Sequence, residues 1–116
     1  MQYMLLIYDN EKLWQTMGEK ERNALMGEYN AFTQEIISSK KFVAGDALQP
    51  TATATTLRLR EGKRLTTDGP FAETKEQLGG YYLVNAKDLD EALALAAKIP
   101  SAKFGSIEVR PVMKFD

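Results

Sequence analysis

Residues 1–9 read Met1-Gln2-Tyr3-Met4-Leu5-Leu6-Ile7-Tyr8-Asp9. Gln2 is the one exception to an apolar or aromatic run over 2–8, and Asp9-Asn10 follow as turn formers, so the stretch predicts a strand. Alternate residues of a strand point to opposite faces. One side therefore carries Tyr3, Leu5 and Ile7, and the other Met4, Leu6 and Tyr8. Such a strand needs cover on both faces, which constrains the architecture around it.

Downstream, residues 11–17 are consistent with one helical turn before Gly18. From Glu19 to about Lys40 the period becomes helical, with Leu25, Tyr29, Phe32 and Ile36 in one stripe that Met26 and Ile37 widen. Glu19 and Glu21 at the start and Lys40 and Lys41 at the end suit the helix dipole. Residues 42–48 predict a second strand, with a bulge expected at Gly45-Asp46. Residues 54–60 and 64–67 predict a hairpin about Glu61-Gly62-Lys63, with Leu57 and Leu59 on one face of its first strand. Residues 68–77 lack periodicity, and 78–86 predict another strand opening on Gly79-Gly80. Asp88 and Glu91 have capping-box spacing for a second long helix, whose expected stripe is Leu89, Ala92, Leu93, Ala96 and Ile99. Pro100 ends it, and 106–113 predict the last strand.

With the 54–67 hairpin set aside as an insertion, the order is strand, helix, strand, strand, helix, strand. That is the split βαβ pattern of an α+β, ferredoxin-like fold: an antiparallel sheet with two helices on one face. Right-handed crossovers put both helices on that face and leave the other bare. Residues 78–86 repeat the signature of the first strand, with Tyr81 and Leu83 on one side and Tyr82, Val84 and Ala86 on the other. Each such side chain left in water forgoes roughly 1.5–3 kcal/mol of burial. The bare face therefore predicts a homodimer formed sheet to sheet. The alternative is that the hairpin and the 68–77 loop fold over it.

The chain of 116 residues and 13.0 kDa is the size of one domain, and no linker or repeat divides 1–116. Fifteen Lys+Arg against sixteen Asp+Glu give a net charge of −1, which argues against a nucleic-acid partner. Without Cys or His there is no thiol nucleophile, no imidazole base and no thiolate- or imidazole-bound metal. Asp88, Asp90 and Glu91 are explained by a helix start, so no metal site is expected. There is no phosphate loop or dinucleotide fingerprint, and no cofactor is expected. No stretch approaches a membrane span and residues 1–9 lack the features of a signal peptide, so the expected location is the cytoplasm.

Residues 68–80 read Asp-Gly-Pro-Phe-Ala-Glu-Thr-Lys-Glu-Gln-Leu-Gly-Gly. Gly69 suits a positive φ, Pro70 fixes the next φ, and Phe71 in a polar loop is expected to be a buried anchor. Gly79 and Gly80 allow a close approach by another backbone or a ligand. This run resembles the signature of the DGPF proteins within the YCII-related family. The resemblance extends over Tyr3-Met4-Leu5-Leu6-Ile7-Tyr8, Val43-Ala44-Gly45, Leu48-Gln49-Pro50, Gly80-Tyr81-Tyr82-Leu83 and Gly105-Ser106-Ile107-Glu108-Val109-Arg110-Pro111-Val112. It implies a dimer of the dimeric α+β barrel type, and it does not imply one reaction. The His-Asp pair proposed as catalytic in some YCII-related proteins has no counterpart in a chain without His. Genes of the family often lie beside those of extracytoplasmic-function sigma factors, so the resemblance also allows a sigma-factor partner.

Several residues carry site expectations. In the last strand Ile107 and Val109 are expected to face the helices, which puts Glu108 and Arg110 on the bare face. There Arg110 would hold an anion and Glu108 act as a base, or the two would form a structural ion pair. Asp68 is either an acid or base beside Glu73 or a turn cap. Asp46, Tyr81 and Phe71 are candidate ligand contacts, and only one of Tyr81 and Tyr82 can line a bare-face cleft. Arg58, Arg60, Lys63 and Arg64 make a basic hairpin, read as a solvated surface or a lid for an acidic ligand. The leading expectation is a homodimer that binds a small molecule in a cleft between the sheet and the 68–71 loop. Two alternatives stand beside it: an isomerase or lyase with Asp68, Glu108 or Asp46 as base and Arg110 as electrostatic stabiliser, and a regulatory partner of a sigma factor.

Overall fold

The computed structural model describes residues 1–115. Strand β1 (Gln2–Asp9) is followed by a short helix α1 (Glu11–Thr16), a long helix α2 (Glu19–Ser38) and strand β2 (Phe42–Ala47). A hairpin of β3 (Thr55–Arg60) and β4 (Lys63–Asp68) intervenes before β5 (Gln77–Asn85), α3 (Leu89–Ala97) and β6 (Ser106–Pro111). The main sheet has the order β2-β5-β1-β6, and every neighbouring pair is antiparallel. This is the ferredoxin-like α+β arrangement that the element order predicts.

Strand β1 alternates as expected. Tyr3, Leu5 and Ile7 are buried beneath the helices, while Met4, Leu6 and Tyr8 are only partly covered. Beside them Tyr82 and Val84 of β5 join Phe32 and Ile36 of α2 and Ala92, Leu95 and Ala96 of α3 in one core. Removing each large side chain from water contributes roughly 1.5–3 kcal/mol. The Phe32 and Tyr82 rings meet edge to face at 5.1 Å, a favoured aromatic geometry.

Three expectations shift. The β2 irregularity falls between Phe42 and Ala44, so Val43 and not Gly45-Asp46 is the extra residue. Helix α3 buries Ala92, Leu95, Ala96 and the following Ile99, whereas Leu89 and Leu93 are each 48% exposed. Two small alanines let the helix lie close on the sheet, and the leucines one turn apart are left on its flank. In α2, Met26 and Ile37 are exposed, so the buried stripe is narrower than the sequence suggests. The Asp88 cap does form: its Oδ1 accepts from the Glu91 amide at 2.9 Å.

The hairpin forms a second, two-stranded sheet. Its turn residues Glu61 and Gly62 both have positive φ, 50° and 77°, as a two-residue hairpin turn of the primed type requires. The arm does not lie over the main sheet: its links beyond the ladder, among them Gly69 N–H to Ala54 O, Thr56 Oγ1 to Gly69 O and Arg58 to the Phe71 carbonyl, stay within the arm and its adjoining loop. The radius of gyration is accordingly 16.2 Å, against the ~13 Å expected for a compact chain of this size.

Two close contacts fix the sheet against its neighbours. A Cβ at Gly80 would stand 2.8 Å from the Asp46 carbonyl oxygen, so the β2–β5 pairing needs glycine there. On the helix side the hydroxyls of Tyr29 and the buried Ser101 share a hydrogen bond, tying α2 to the turn after α3. Burial pushes the Tyr29 phenol up to about 12 from its ordinary 10.0, and the nearby Asp9 and Tyr82 add to the rise against the opposing Ser101 hydrogen bond.

Gly80→Ala should lower stability by about 1–3 kcal/mol in urea unfolding, while Gly79→Ala, whose Cβ has room, should stay within ~0.5 kcal/mol. Equal effects of the two would show that the close approach at Gly80 is unimportant. The folded chain keeps the Tyr29 proton after the unfolded chain has lost it. Its contribution to stability is therefore whole below pH 10.0 and is lost as pH rises through about 12. Tyr29→Phe should flatten that part of the stability–pH curve, and a parallel decline in both proteins would refute the assignment.

Candidate ligand site

A cavity of about 450 Å³ opens between α1, α2 and the β2–β5 side of the sheet. It lies on the helix-covered face. Its most buried polar group is Asp9, the last residue of β1, which is 4% exposed.

The local sequence explains how Asp9 comes to stand there. The period of β1 puts it on the same face as Tyr3, Leu5 and Ile7. Asn10 then ends the strand and caps α1 by accepting from the Lys12 amide at 3.0 Å. One turn of helix carries Trp14 back over the strand end, where its indole N–H donates to Asp9 Oδ2 at 3.1 Å. Arg22 holds that turn in place by donating to the Met17 carbonyl at 2.7 Å. Opposite, β5 has one residue too many: Ile7 pairs with Gly80 and Tyr8 with Leu78, so Gly79 is the bulged residue. A Cβ added at Gly79 would sit 3.6 Å from Asp9 Oδ1. The bulge thus leaves open the oxygen that Trp14 does not use: Asp9 Oδ1 accepts no hydrogen bond among the described residues, and it faces the cavity without being sealed from it.

The rim and walls are equally specified. Glu11 accepts from the amide and hydroxyl of Thr51 at 2.6 and 2.9 Å, and its own amide donates to Gln77 Oε1 at 3.0 Å. These bonds clamp the start of α1 to the 50–53 turn and to β5. Trp14 and Tyr29 form one aromatic wall, with ring centres 6.3 Å apart, and Phe42 and Tyr82 another at 6.5 Å. The Tyr82 hydroxyl is spoken for by Thr33 Oγ1 at 2.7 Å. No Lys or Arg lines the cavity.

The residues singled out from sequence are placed as follows. Asp46 and Tyr81 reach the rim of this cavity and bond each other, Tyr81 hydroxyl to Asp46 Oδ2 at 2.9 Å, which raises the Tyr81 phenol above its ordinary value. Tyr82 takes the helix face, so the two tyrosines divide between the faces as their parity requires. Glu108 and Arg110 stand together on the open face, Arg110 Nε to Glu108 Oε2 at 2.9 Å, with the Tyr8 hydroxyl donating to the other carboxylate oxygen at 3.3 Å. Burial, and then the charge of Glu108, raise the Tyr8 phenol. Asp68 lies at the end of β4 on the arm, exposed, and its carboxylate accepts no hydrogen bond among the described residues, so the turn cap does not form. Phe71 is 81% exposed, which corrects the expectation of a buried anchor. The loop stands off with the arm, and what binds it there is Arg58, donating to the Phe71 carbonyl at 3.4 Å. Neither Asp68 nor Phe71, Glu108 or Arg110 lines the cavity. Asp9 was missed because its sequence context, an acid followed by Asn, reads as a turn; the available signal was its parity with Tyr3, Leu5 and Ile7.

Among the described residues no helix is long and apolar enough to cross a membrane, and no cluster of acidic side chains could hold a metal ion. The model of the YCII-related domain matches residues 1–116. An uncharacterized protein of Rhizobium meliloti (strain 1021) is 39% identical over 114 residues, covering 97% of this chain and 92% of that one. Among solved structures, the 5-chloro-2-hydroxyhydroquinone dehydrochlorinase of Burkholderia phenoliruptrix, in complex with 2,5-dihydroxybenzoquinone, superposes with a TM-score of 0.57. That match covers 97% of this chain and 94% of the other at 16% identity, and it shows a shared fold. A family model spanning every residue and a close relative over nearly the full length agree: the chain belongs to the YCII-related family.

Proposed function

We propose that this protein binds a small organic molecule in the cavity between α1, α2 and the β2–β5 edge, as a homodimer closed through the open face of its sheet. The carrying observation is the cavity itself: about 450 Å³, walled by aromatic side chains, with the second oxygen of the Asp9 carboxyl open to it and bonded to no donor among the described residues. That volume falls within the usual range for ligand pockets, roughly 300–1,000 Å³, and a few placed polar groups in an apolar enclosure are their usual chemistry. The ligand supplies a donor to Asp9 Oδ1, since an oxygen covered by a ligand without a partner costs free energy. The sequence-based expectation of a cleft at the 68–71 loop gives way to this position because that loop stands off the sheet.

The dimer rests on Met4, Leu6, Tyr8, Tyr81 and Leu83, which the arm leaves uncovered. Two copies meeting there would bury all five, and would enclose the Glu108–Arg110 pair beside them. A second reading is an enzyme of isomerase or lyase type, favoured by the dehydrochlorinase activity of the structural neighbour. In the cavity the proton acceptor would be Asp9. Glu108 would take part only with a second copy closed over it.

Ligand screening by thermal shift decides the binding proposal. A true ligand at a hundredfold excess over its Kd should stabilise the fold by about 2.7 kcal/mol. Gly79→Val, which fills the space beside Asp9 Oδ1, should abolish the shift. An unchanged shift in that variant would place binding elsewhere. In sedimentation equilibrium the protein should run at twice 13.0 kDa and Leu6→Asp at 13.0 kDa. A wild-type monomer at micromolar concentration would end the dimer proposal.

A further inference from the structure

The charge of the cavity restricts its ligand further than its shape does. Resting on the site just proposed, we infer that the ligand class is an organic ammonium cation with an apolar body. The carboxyl groups of Asp9 and Glu11 line the cavity, and no Lys or Arg among the described residues does. Glu11 spends both oxygens on Thr51, and Asp46 receives the Tyr81 hydroxyl at the rim. Asp9 is different: it is almost wholly buried, it holds one neutral donor from Trp14, and its Oδ1 is left open by the Gly79 bulge.

A ligand that closes over Asp9 displaces the solvent its open oxygen meets, which costs free energy unless the ligand brings a partner. The protein supplies no cation at this point, so a ligand that brings one gains both a charge-assisted hydrogen bond and the relief of that cost. The walls favour the same class. Trp14 with Tyr29, and Phe42 with Tyr82, bring four aromatic rings to the cavity, and aromatic rings attract cations as well as apolar groups. An anionic ligand would meet the Asp9 and Glu11 carboxyls and no Lys or Arg among the described residues. The volume is about three times the ~150 Å³ that accommodates a benzene-sized guest, so an aromatic ring with an aminoalkyl arm fits.

A series matched in shape and differing in charge tests this: 2-phenylethylammonium, 2-phenylethanol and phenylacetate, titrated calorimetrically at pH 7 into the intact protein. The ammonium ion should bind at least tenfold more tightly than the alcohol, with phenylacetate weakest. Asp9→Asn, which keeps an acceptor for Trp14, should erase the preference for the ammonium ion and leave the alcohol within about twofold. The alcohol or phenylacetate binding as tightly as the ammonium ion in the wild-type protein would overturn the cation assignment while leaving the cavity as a ligand site. No binding of any of the three, together with no stabilising ligand in the thermal screen, would overturn both. The wild-type series alone decides the matter should Asp9→Asn fail to fold.

Discussion

The apolar character of both faces of β1 is the constraint from which the rest of the structure follows. The strand is central, paired on one edge with β5 and on the other with β6. Its helix-side residues nucleate the core and, by the same parity, carry Asp9 to the floor of the cavity. Its opposite residues, Met4, Leu6 and Tyr8, make the centre of a surface that the two crossover helices cannot reach. A slip of one residue would exchange these roles, turning Asp9 outward and Tyr8 inward, so the site and the open face are fixed by one register.

Much of the fold was legible because period is a strong signal. The alternation in residues 2–8 and 78–86, the 3.6-residue spacing of Leu25, Phe32 and Ile36, and the cap at Asp88 each depend on near neighbours in sequence. What escaped depends on distance. Whether Leu93 or Leu95 of α3 turns inward is decided by how closely Ala92 and Ala96 let the helix approach the sheet. Whether Phe71 is buried depends on where the whole arm lies, and nothing local to Asp68-Gly69-Pro70 determines that. Local conformation was read correctly in the same loop: Gly69 does take a positive φ, 109°.

The site was the least legible part, for a related reason. In the sequence, chemistry is signalled where charged residues interrupt apolar runs, at Asp46, Asp68, Glu108 and Arg110. Two of these, Glu108 and Arg110, neutralise each other along one strand at the surface, an arrangement worth roughly 0.2–1 kcal/mol. Asp9 gains its distinction from three elements that meet at it: the end of β1, the returning indole of α1 and the bulge in β5. Gly79-Gly80 was recognised as a place of close approach, yet the two glycines serve different neighbours. Gly80 admits the backbone of β2, and Gly79 leaves the space beside a carboxyl oxygen.

Charge is also divided unevenly over the molecule. Residues 58–64 carry four cations and one anion, so the rest of a chain with net charge −1 has four more acidic than basic groups. None of the four arm cations lines the cavity that holds Asp9 and Glu11. Screening over roughly 8 Å at physiological ionic strength makes that separation effective, because charges on an exposed ribbon act little on a carboxyl enclosed behind α1. The cavity consequently keeps a negative local environment within a nearly neutral protein. On the proposed reading, a field of that kind, focused by low-dielectric aromatic walls, would discriminate among ligands by charge before any contact is made. Shape then selects among those admitted, and the Gly79 bulge sets how closely a ligand donor can approach Asp9 Oδ1.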